Sequence, residues 1–221
     1  MIRRFTSTVG VILAFTACAA IAAATLSPKP QGAEIAFVNS ISKDLNARFA
    51  TPADAIKAGY FRYTNEDKTG AISYANLQWQ SSDPQHPSQL WYSAKGKLLG
   101  ADFSVLQSNS PKRPSLWGVN PLRWDDFDAH VHFILAGANG QETYGATSVK
   151  KFTAAGGDIA SPTAAAVVKL GKAKDVAAVK KVFLFPHIWD LIVWVTPNPS
   201  GAFAEANPLV KPTKTTSDDS M

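Results

Sequence analysis

Apolar residues recur at steps of three and four near the start of the chain: Ile35, Val38, Ile41, Leu45 and Phe49. That is the period of a helix with one buried face. Thr51 and Pro52 then restart a helix, with threonine as N-cap, proline at the first helical position and Asp54 in the first turn. Gly59 ends it. Past Tyr63 the pattern changes to short β-branched and aromatic runs mixed with polar residues, at 72–79, 89–93, 98–106, 129–135 and 145–149. These runs predict strands, and Ala94 to Lys97 joins two of them as a hairpin. The alanine- and lysine-rich stretch 161–182 predicts a helix, opened by Ser161-Pro162, interrupted at Gly171 and closed by Lys180-Lys181. A last strand, 188–195, is stopped by Asn198-Pro199 and Asn207-Pro208, because proline lacks an N–H and restricts the residue before it. The order implies an α+β fold: one domain over 34–210, an antiparallel β-sheet packed with N-terminal and late α-helices.

The ends of the chain change the picture from fold to address. Arg3 and Arg4 precede an uncharged run from Val9 to Ala24, and Ala20, Ala22 and Ala24 have the spacing that a signal peptidase accepts. Residues 1–24 therefore read as an export signal, 25–33 as a linker and 211–221 as a polar, disordered tail. The expected location is secreted or periplasmic. Phe15-Thr16-Ala17-Cys18 offers an alternative, a lipid anchor on Cys18. That is the one cysteine, so a cut further on leaves no disulfide, thiolate nucleophile or cysteine metal site. The net charge of +5 comes from scattered lysines with no aromatic-lined basic groove, which argues against nucleic acid as a partner.

Candidate chemistry is sparse. His130 and His132 sit two apart in a predicted strand and so share a face. Paired imidazoles are a common start to a zinc, copper or iron site, with His187, Glu142, Asp126 or Asp128 as candidates for the third ligand. Two structural strand histidines would give the same pattern. Asp125, Asp126 and Asp128 beside Trp124 and Phe127 could line a sugar-binding cleft or simply form a turn. Of the six tryptophans, Trp117 and Trp124 fall in loops and are the candidates for a ligand platform, with Asp126 beside them. There is no Gly-x-Ser-x-Gly elbow and no phosphate-binding glycine loop.

Val193-Trp194, Asn198-Pro199-Ser200-Gly201-Ala202-Phe203 and Asn207-Pro208-Leu209-Val210 resemble the ending of a family of secreted bacterial proteins of unknown activity. Ala58-Gly59-Tyr60, Gly70 to Tyr74 and the hairpin from Pro87 to Val105 resemble the same family more loosely. The resemblance implies export and an α+β fold. Ser73 and Ile192 stand where that family has histidine, and Pro212 replaces a terminal cysteine. The expected function is an exported non-catalytic domain, without cofactor, that binds a small molecule or an envelope component. The alternative is a metal-binding protein or metal-dependent enzyme that holds a divalent transition metal on His130, His132 and His187.

Overall fold

The computed structural model describes residues 27–79, 83–137 and 140–213. The segment read as an export signal, with Cys18, and the predicted tail past Thr213 lie outside the described residues. Nine strands form two antiparallel sheets. The larger has the order β1-β2-β3-β4-β9-β5, built from β1 (Phe61–Arg62), β2 (Ile72–Ala75), β3 (Gln89–Tyr92), β4 (Leu98–Leu106), β5 (Asp125–Phe127) and β9 (Ile188–Trp194). The smaller places β6 (His130–Ala136) between β7 (Glu142–Ser148) and β8 (Val179–Phe185). Four helices complete the α+β fold: α1 (Ala33–Arg48), α2 (Pro52–Lys57), α3 (Val149–Ala154) and α4 (Ala164–Lys169).

Each sheet uses one face for a helix-covered core, because side chains alternate across a strand. On the larger sheet Leu90, Tyr92, Ala101, Phe103, Leu191 and Val193 pack under Phe37, Ile41 and Leu45 of α1. On the smaller sheet Val131 and Phe133 pack with Phe152 of α3 and Val167 of α4. A third cluster, Tyr63, Ala75, Phe183, Phe185 and Ile188, joins the two sheets through their other faces. Those inner faces define the site described below.

Helix starts follow the sequence closely. Thr51 accepts the backbone N–H of Asp54, whose carboxylate accepts the Thr51 N–H in return, a complete capping box. The α1 stripe differs in phase from its reading in the sequence: Phe37, Ile41 and Leu45 are buried, Ile35 is 50 % exposed, and Glu34 is buried beside it. The reason is Arg123, which donates to both Glu34 oxygens at 3.1 and 2.9 Å and to the carbonyls of Ser27 and Lys29. The predicted linker is therefore tied to the body from Ser27 onward. The helix predicted over 161–182 is shorter: α4 ends at Lys169, and Lys180-Lys181 belong to β8. Val179, Val182 and Phe183 are β-branched or aromatic, and pairing with β6 outweighs local helix propensity. Asp125–Phe127, read as a loop, is an edge strand on β9, and Ser148 caps a helix that the sequence did not announce.

Candidate functional site

Strand register decides which side chains meet. On the larger sheet Gln89 pairs with Asp102, Trp91 with Gly100, Gly100 with Trp194, Asp102 with Ile192 and Ser104 with Asp190. These residues therefore share the face turned away from α1. On the smaller sheet His130 pairs with Phe185 and Ser148, and His132 with Phe183 and Ala146, turned away from α3 and α4. Between the two faces lies an open cleft of about 480 Å³. Its walls include Trp91, Trp194, Tyr63, Tyr144, Phe127 and Phe185, and its polar lining includes Gln89, Asp102, Asp190, His130 and His132. Ser73 and Ile192 also line it. Gly100 is required at the foot of this wall: a Cβ there would lie 2.6 Å from the Val193 carbonyl and 2.7 Å from the Trp91 ring.

Asp102 and Asp190 are 6 % and 9 % exposed and lie diagonal to one another on the inner face of β4 and β9, close enough for each carboxyl to act on the other. Trp91 Nε1–H donates to Asp102 Oδ2 at 2.8 Å, and the Ser104 hydroxyl donates to Asp190 Oδ1 at 3.0 Å. Burial, first, and the charge of Asp190, second, push the Asp102 carboxyl well above the usual carboxylate range. Burial raises Asp190 too, to about 7, partly offset by its bonds from Ser104 and Asp102. The pair therefore holds a proton into the neutral range, as expected of two carboxyls that cannot both ionise in one small volume.

Across the cleft His130 Nε2 and His132 Nε2 are 2.8 Å apart, and His130 Nδ1 is 2.8 Å from the Asp128 carbonyl. A carbonyl only accepts, so His130 carries its proton on Nδ1 and turns the lone pair of its Nε2 toward His132 Nε2. Burial lowers both imidazoles, His132 to about 3, with the neighbouring His130 as the second cause. Both are neutral at pH 7. The rings are held by stacking: His130 on Phe185 at 5.0 Å, His132 on Phe183 at 5.4 Å, with the Tyr63 ring edge-on to His132 at 4.7 Å. The Tyr63 hydroxyl donates to Gln89 Oε1. Gln89 stands opposite Asp102 in the strand register, so Tyr63 and Gln89 lie between the histidine pair and the carboxyl pair.

The site expected from the sequence is dispersed. Trp117 stacks on Phe37 at 5.3 Å and packs against the α1 core, and Trp124 is fully buried against Trp117. Trp124 therefore presents no free face to a ligand, and Trp117, half-buried, gives one face to Phe37. Asp126 is exposed, accepting from Gln107 at 2.7 Å and pairing with His187 at 2.6 Å. His187 is gathered with Asp126 and Asp128, not with His130 and His132. Among the described residues no third histidine, cysteine or carboxylate joins the buried pair to make a three-ligand group. Position 187 ends the β8–β9 turn, so its side chain follows the exposed β5 edge.

Asp102 and Asp190 themselves escaped the sequence reading. Their signal was present: each is a lone charge inside an otherwise apolar, buried strand, and such a charge needs a reason. No family model, no curated protein and no solved structure matches the chain.

Proposed function

We propose that this chain is an exported, non-catalytic domain that binds a small molecule in the cleft between its two sheets. The cleft carries the proposal. Its volume of about 480 Å³ lies within the roughly 300–1,000 Å³ range of small-ligand sites, and it combines aromatic walls with a few convergent polar groups. The C-terminal motif adds support. Trp194 of that motif lines the cleft, and so do Ser73 and Ile192, the positions where the family it resembles has histidine. A thermal-shift screen of small metabolites, run in parallel on Ser73→Trp, tests the reading. Saturation at about a hundred times Kd adds about 2.7 kcal/mol, which for a chain of this size raises Tm by roughly 5–10 °C. The shift should vanish when the new indole fills the cleft. If no compound stabilises the wild type more than the filled variant, the reading is wrong.

A metal centre on His130 and His132 is the rival, favoured by the two Nε2 atoms that face one another. Metal analysis of tag-free protein separates the two. Zinc, copper and iron all below stoichiometry, and unchanged in His130→Ala, would sink the metal reading.

A further inference from the structure

The carboxyl pair in the cleft has no cation. Asp102 and Asp190 are both more than nine-tenths buried, and among the described residues neither makes a salt bridge. The rest of the lining deepens the imbalance. Glu66, Asp67 and Glu205 are the further acids of the lining, against Lys68 alone, although the chain as a whole is net positive. Trp91 donates to one oxygen of Asp102 and the Ser104 hydroxyl to one oxygen of Asp190, which leaves one oxygen on each carboxyl able to accept the N–H groups of an ammonium or guanidinium. The indoles of Trp91 and Trp194, 5.5 Å apart and inclined at 64°, stand beside it, and aromatic faces attract cations.

We infer that the cleft takes a small organic cation, a primary ammonium or guanidinium, whose charged head lies on the Asp102–Asp190 pair. The inference rests on the binding reading above and names its ligand class. One proton leaves to solvent for each cation that enters, so charge in the cleft is conserved. Asp125 on β5 and Glu205 in the C-terminal segment add negative potential at the pair, while the bonds from Trp91 and Ser104 favour its ionised form. Tyr63 stays protonated between the sheets, and His130 and His132 on the facing sheet stay neutral and supply no competing cation. An anion would meet five carboxyl groups, and a neutral sugar would leave the pair's proton where it is.

Isothermal titration calorimetry at pH 7 with agmatine and putrescine, against glucose and succinate, tests this. Each titration is run in phosphate and in Tris, whose ionisation enthalpies differ, so that proton release is counted. Binding of agmatine or putrescine with release of about one proton is the expected result. Asp102→Asn should keep affinity within about tenfold and cut the proton release, since the more strongly protonated carboxyl of the two is gone. The double variant Asp102→Asn, Asp190→Asn should weaken binding at least tenfold. Both are isosteric, so folding is retained, as circular dichroism will check. Cation binding without proton release, or undiminished in the double variant, overturns the inference. Glucose or succinate binding alone, abolished by Ser73→Trp, overturns the cation class and leaves the binding reading intact. No binding by any probe overturns the inference, and a flat thermal-shift screen would take the binding reading with it.

Discussion

Replacing Arg123 with methionine is expected to be among the most damaging single changes outside the apolar core. The guanidinium and the Glu34 carboxylate are each only 4 % exposed, and they meet at 2.9 Å. Arg123 also holds the carbonyls of Ser27 and Lys29 and lies 4.5 Å over the Phe203 ring, so one side chain ties the start of α1 to the approach to β5 and to the C-terminal segment. Breaking a buried pair by removing one partner costs about 3–5 kcal/mol, because the other charge stays buried and unpaired. Glu34 would still accept the N–H groups of Gln31 at 2.9 Å and Asn120 at 3.1 Å, which moves the expectation to the lower end, about 3 kcal/mol. Set against a total of roughly 5–15 kcal/mol for a native domain, that loss is readily measured by urea unfolding followed by tryptophan fluorescence. The pH dependence makes the test specific. Burial raises the Glu34 carboxyl, but its bonds from Arg123, Asn120 and Gln31 and the Arg123 charge outweigh that and hold it below its ordinary value. A lowered carboxyl contributes stability above its unfolded pKa, and that contribution is lost as pH falls through the folded value. Without Arg123 burial dominates, the carboxyl takes up a proton in mild acid, and the penalty should shrink below about pH 4.5. A loss under about 1 kcal/mol at pH 7, or one unchanged at pH 4, would refute the account of the clamp.

Three further outcomes follow from the cleft. Asp102→Asn should stabilise the protein at pH 7 to 8 and not at pH 4, in urea titrations. A carboxyl raised in the folded state contributes fully below its unfolded pKa and loses that contribution as pH rises, by at most about 1.4 kcal/mol per unit for each proton held. His132→Phe has the opposite signature. Burial keeps this imidazole neutral down to about pH 3, so its folded contribution is whole above about 6.5 and declines as pH falls toward 3; the variant should lose less of its stability than the wild type between pH 7 and 4.5. Gly100→Ala should cost about 1–3 kcal/mol and blue-shift or broaden the tryptophan emission, because its Cβ meets backbone on one side and Trp91 on the other; an unchanged spectrum and melting point would show that the wall yields freely.

The parts of the fold that were legible in the sequence are those set by neighbours in the chain. Thr51, Pro52 and Asp54 specify a helix start through bonds that close within three residues, and the hairpin from Gln89 to Leu106 needs only its alternation and Gly96. What was not legible depends on pairing across long separations. β4 pairs with β9, so Ser104 reaches Asp190 across 86 residues, and no local pattern announces that partner. The stretch from Val179 to Phe185 shows the same limit in reverse. Its lysines and its alanine-rich approach favour helix locally, yet β6 supplies a ladder that outweighs that preference.

The site followed the same rule with a different consequence. Exposed loops drew attention to Trp117, Trp124 and Asp126, since loops carry function more often than strands do. Trp124 then proved to be core, and Asp126 a solvated partner of His187. The decisive groups were the charges that looked out of place, Asp102 in Leu98–Leu106 and Asp190 in Ile188–Trp194. A buried carboxyl costs stability unless it is paired, and pairing two carboxyls with one proton offsets only part of that cost. A cleft lined by five carboxyl groups and a single lysine is short of positive charge, and an incoming cation is the simplest species that restores the balance.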